Sequence, residues 1–100
     1  MDFTVIWSPQ VRDDLHEIAA FIAKDSPRYA SAVVSKILAA GRSLQFLPWR
    51  GRVVPELGRE DHRELFIYEY RLIYRIEGQT VSILGVIHGR RLLGNTRLAE

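Results

Sequence analysis

Apolar residues recur at helical spacing from Val11 through Leu15, Ile18 and Ile22, while Arg12, Asp13, Asp14, His16 and Glu17 fill the remaining face. Ser8 offers an N-cap oxygen and Pro9 suits the first helical position, so the pattern predicts a helix over Pro9–Lys24. Asp25-Ser26-Pro27 repeats this stop-and-start chemistry. It opens a second helix, Pro27–Leu47, with Ala30, Val33 or Val34, Ile37, Gly41 and Leu44 along its seam. The short link makes the two an antiparallel hairpin. Gly41 costs about 1 kcal/mol relative to alanine inside a helix, which predicts close approach to a neighbouring backbone. Ahead of the helices, Phe3–Trp7 is β-branched and aromatic and reads as a strand.

The helical period stops at Pro48-Trp49-Arg50-Gly51-Arg52, and a loop or irregular strand carries Val53, Val54, Pro55 and Glu56 as far as Asp61. From there the period is two. Arg63–Ile67, Tyr70–Ile76 and Val81–His88 predict three strands joined by short turns, a meander. Gly89–Glu100 shows no long period and reads as a short extension. One hundred residues suffice for one core. The predicted fold is therefore α+β: one domain over 1–100, with an N-terminal strand and a helical hairpin packed on a small antiparallel sheet, in the order β-α-α-β-β-β.

If the Glu77–Thr80 turn closes with two or four residues, Arg75 faces Ser82, Ile73 faces Leu84, Arg71 faces Val86 and Glu69 faces His88. One sheet face then carries Tyr70, Leu72, Tyr74, Ile76, Val81, Ile83 and Ile87, apolar enough to cover the helices. The other carries Arg71, Ile73, Arg75, Ser82, Leu84, Val86 and His88. In that register Arg71 and His88 are near diagonal neighbours, with Glu69 opposite the histidine and Glu64 available from the preceding strand. A histidine beside a carboxylate and arginines can move a proton and hold an anion. The same spacing also fits an ordinary charged cross-strand ladder, and a one-residue slip sends His88 to the other side.

Composition narrows the chemistry. With no cysteine there is no disulfide, thiolate metal site or cysteine nucleophile. The histidines at 16, 62 and 88 lack metal-ligand spacing, no phosphate loop, GxSxG or HExxH occurs, and neither metal nor cofactor is expected. No apolar run approaches a membrane span and the first residues lack a signal-peptide pattern, so a cytoplasmic location is expected. The net charge of +2 is too small for a histone-like field, but twelve of the 14 basic residues are arginine. Nine of those lie from Arg50 onward, so an anionic partner would meet that half; genome composition produces the same bias. Trp7 and Trp49 adjoin prolines at element boundaries and read as packing groups. Of Tyr68, Tyr70 and Tyr74, two fall on the helix-facing side.

VIWSPQVRDDLHEIAAFIAKDSP, GRVVPE and HRELFIYEYRLIYRIEGQTVSILGVIHGRR together resemble the RelE/ParE superfamily of bacterial toxins from type II toxin–antitoxin pairs, over nearly the whole chain. The resemblance implies the architecture above. It also implies a cognate antitoxin that wraps the toxin in a hetero-oligomer. RelE-like members cut messenger RNA on the ribosome. In the branch using a glutamate, an arginine and a histidine, the matching positions are Glu56, Arg71 and His88. That branch ends in a histidine–tyrosine pair, whereas Gly89 follows His88 here; a second branch relies on several lysines, and this chain has only Lys24 and Lys36. ParE-like members poison DNA gyrase without recognised catalytic residues. The long helices, the HGRR ending and the tail through Leu92, Leu93, Arg97 and Leu98 are similar to that branch. It makes Arg75, Arg90, Arg91 and Arg97 the target-binding residues.

Overall fold

The computed structural model describes residues 2–90 and Leu98. Its elements are β1 (Thr4–Trp7), α1 (Pro9–Ala23), α2 (Pro27–Ser43), a single 3-10 turn at Pro48–Arg50, β2 (Arg52–Val53), β3 (His62–Ile67), β4 (Tyr70–Glu77) and β5 (Thr80–His88). The predicted caps form: Ser8 Oγ accepts from the Val11 N–H at 3.2 Å and Ser26 Oγ from the Tyr29 N–H at 3.1 Å. The second helix ends at Ser43, short of the expected Leu47. The Leu44 and Gln45 N–H groups turn back to Gly41 and Arg42, tightening the last turn. Phe46 and Leu47 beyond it are exposed, so no core contact pulls the helix onward.

The sheet order is β1-β5-β4-β3-β2. β2 to β5 are antiparallel, but β1 runs parallel to β5, so the sheet is mixed where an antiparallel one was expected. Parallel neighbours need a long crossover, and the helices and meander supply it. Both helices cover one face. Val11, Leu15, Val33 and Ile37 pack there against Leu65, Leu72, Tyr74, Val81 and Ile83. A smaller cluster of Val54, Ile73, Leu84 and Ile87, with Leu98 against it, sits on the other face.

Two glycines mark close approaches. A Cβ on Gly41 would lie 2.1 Å from the Trp7 ring, so the neighbour in α2's notch is a side chain and not the expected backbone. A Cβ on Gly51 would strike the buried Tyr74 hydroxyl, which accepts from the Gly51 N–H at 3.1 Å and donates to the Pro48 carbonyl at 2.7 Å. Those bonds pin the 3-10 turn to the sheet.

The β4–β5 register departs from expectation through a bulge. Arg75 pairs with Ser82 as expected, but beyond the shift at Ile73/Tyr74 the pairs are Ile73–Gly85, Leu72–Val86, Arg71–Ile87 and Tyr70–His88. Leu84 is the extra residue. As a result Val86 joins the helix-side core and Ile87 the opposite cluster, the reverse of their expected faces. The device lets Leu84 and Ile87 both bury themselves on one face, with Gly85 leaving room for Leu98, whose Cδ2 would lie 2.8 Å from a Cβ there.

Candidate functional site

Glu56 and Arg71 are brought together; His88 is not brought to them. Arg71 projects from β4 onto the face away from the helices, 4% exposed. Its Nη1 and Nη2 donate to Glu56 at 2.7 and 2.8 Å, and its Nε donates to Glu64 Oε1 at 2.7 Å. Glu64, 1% exposed on β3, also accepts from Arg52 Nε. Bonding to Glu56 raises the Arg71 guanidinium above its ordinary value, against the opposing pull of burial, and Glu64 adds to the rise. The four charges cancel. The guanidinium fork is thus filled by carboxylates, and an incoming phosphate would have to displace Glu56 to reach it.

The bulge turns His88 to the helix side of the sheet, correcting its expected place beside Arg71. There its ring meets Tyr70 edge-on at 5.7 Å. The expected Glu69 neighbour survives by another route: Glu69 lies in the β3–β4 turn instead of pairing across the strands, and its Oε2 is 3.7 Å from His88 Nε2. The Arg90 N–H donates to His88 Nδ1 at 3.2 Å, and the Tyr29 hydroxyl donates to Glu69 Oε1 at 3.2 Å. Both ring nitrogens therefore face protein groups.

The arginines assigned to target binding are dispersed. Arg75 lies on the outer face near the β4–β5 turn and bonds Glu77 at 3.3 Å. Arg90 follows the far end of β5, roughly 25 Å away along the strand at about 3.3 Å per residue. Arg91 and Arg97 lie outside the described residues. No group of histidines and carboxylates able to hold a metal occurs among the described residues, and no helix there is long and apolar enough to cross a membrane.

Sequence reading missed the surface around the β3–β4 turn. Phe66 and Tyr68 are half exposed, with Lys36 and Arg50 on one side and His88 and Arg90 on the other. The available signal was alternation: with Leu65 and Ile67 turned inward, Phe66 had to face out. Trp49, read as a packing group at an element boundary, is likewise half exposed in the 3-10 turn, with the Arg63 guanidinium stacked 5.2 Å from its ring.

Residues 5–93 match the family described as the ParE toxin of the type II toxin–antitoxin system parDE. The chain is 30% identical over 89 residues to Toxin RelE1 of Caulobacter vibrioides, covering 89% of this chain and 96% of the relative. It is 33% identical to a chain of the Mycobacterium tuberculosis RelBE2 toxin–antitoxin complex, with a TM-score of 0.57, covering 88% of this chain and 99% of that one. A chain of the chromosomal ParDE system of P. aeruginosa shares the fold at a TM-score of 0.69 and 20% identity, covering 86% and 95% of the two chains. With its mixed sheet under a capped helical hairpin, the chain belongs to the ParE toxin family of type II toxin–antitoxin systems, within the RelE/ParE superfamily.

Proposed function

We propose that this toxin arrests growth by binding DNA gyrase and not by cleaving RNA, and that its cognate antitoxin neutralises it in a hetero-oligomer. One observation carries the reading: Glu56, Arg71 and His88 do not converge. A general base must reach the proton it removes, and the phosphate must meet a free donor. Here Arg71 is enclosed by Glu56 and Glu64 on one sheet face. His88 stands on the other, between Glu69 and the Arg90 N–H. Arg90 is exposed at the end of β5, where the chain continues to Arg91 and Arg97, and those three arginines make the target contact in this reading.

The test is a supercoiling assay with purified gyrase, run beside a translation reaction in which message 5′ ends are mapped. The expected result is inhibited supercoiling with intact messages. Reversing Arg90 and Arg91 to glutamate abolishes it, and His88→Ala retains it. Messages cut within codons by the wild-type chain but not by His88→Ala would overturn the proposal in favour of a ribosome-dependent ribonuclease.

A further inference from the structure

Two clefts of about 440 and 480 Å³ meet over the β3–β4 turn. One runs from the Phe66 and Tyr68 rings to His88 and Arg90; the other runs from the same rings to Lys36, Ser43 and Arg50. Together they make one groove with an aromatic floor and cations at both ends. Phe66 is 53% and Tyr68 50% exposed, and the Arg52 guanidinium stacks 4.9 Å from the Phe66 ring. The acid in this lining, Glu69, is directed at Tyr29 and His88. An aromatic surface ringed by arginine has the composition of a protein interface.

The backbone supplies a second, independent sign. Tyr68 opens a two-residue hairpin turn at φ 53°, a conformation that such turns normally give to glycine. The other hairpin obeys the rule, with Gly78 at φ 58°. A bulky residue in this region carries strain, and strained positions cluster where a ligand needs the side chain.

We propose that this groove is the antitoxin's docking site, and that the docking segment carries carboxylates beside an apolar side chain that seats between Phe66 and Tyr68. Charge complementarity selects the occupant: Lys36, Arg50 and Arg90 frame the apolar floor, so carboxylates satisfy the ends while the apolar group covers the rings. A segment reaching Arg90 also covers one of the arginines assigned to gyrase, so occupancy and neutralisation become one event. The inference rests on the antitoxin half of the proposed function and not on the identity of the target.

The test uses the full toxin with the purified antitoxin from its operon, with affinity measured by calorimetry at low and high salt. Two variants probe the groove: Tyr68→Asn, which tolerates the positive φ without the ring, and the double reversal Lys36→Glu with Arg50→Glu. Each is expected to weaken antitoxin binding at least tenfold, the reversal also flattening the salt dependence. Each still arrests growth alone, and the co-expressed antitoxin no longer rescues the cells. Unchanged affinity and rescue would overturn the proposal. So would loss of growth arrest in variants that melt at the wild-type temperature, which would assign the groove to the target. An oligonucleotide that binds wild type but not the variants would assign it to nucleic acid. If messages prove to be cut and supercoiling untouched, the gyrase reading fails while the rescue measurement still stands.

Discussion

Arg71 owes its position to two carboxylates, and its removal would leave the buried Glu64 with Arg52 alone. Breaking one side of a buried ion pair is costly, so Arg71→Met is expected to lose about 3 kcal/mol of stability in denaturant unfolding. Adding Glu64→Leu should restore most of that loss, because an apolar pair of similar volume needs no counter-charge. Recovery of stability together with growth arrest would identify the cluster as structural. Asp61 makes one contribution to the acid limb of stability. Hydrogen bonds from His62, then Arg59, hold its carboxyl at about 2 against an ordinary value of 3.8. Because the folded value is the lower one, its contribution is fully present above 3.8 and is lost as pH falls through about 2. Asp61→Asn should therefore flatten that part of an acid-unfolding curve. Tyr68→Gly relieves the positive φ and should raise stability by about 1 kcal/mol in a thermal melt.

At the level of elements, the helices were legible because their determinants are local: a serine cap, a proline at the first position and apolar residues on one stripe. The three meander strands showed equally well in their two-residue period. The bulge did not, because Leu84 is displaced by what both faces of the sheet can bury, which neighbouring residues along the chain do not encode. That single extra residue accounts for the misplaced His88, and with it for the legible half of the site, Glu56 with Arg71, losing its third member. The end of α2 failed for a related reason, since Phe46 and Leu47 are apolar in the sequence yet exposed in the fold, and exposure is set by tertiary packing. Gly41→Ala tests the joint between β1 and α2. Its Cβ drives into the Trp7 ring, and overpacking of this kind should cost about 1–3 kcal/mol in equilibrium unfolding.

Across the whole molecule, the two sheet faces carry different work. The helix side holds the main core, and the groove opens at its rim around Tyr68; the outer side holds the neutralised charge cluster and the small apolar patch under Leu98. The parallel pairing of β1 with β5 joins positions far apart in the chain: Val5 sits beside Val81, seventy-six positions later. Closing so long a loop is slow and is rewarded only once the last strand exists. During synthesis the first strand therefore waits, unpartnered, while the helices and meander emerge. A ribosome that stalls or is lost before β5 leaves a fragment in which β1 has no strand to pair with, so the sheet cannot close until that last strand has been made.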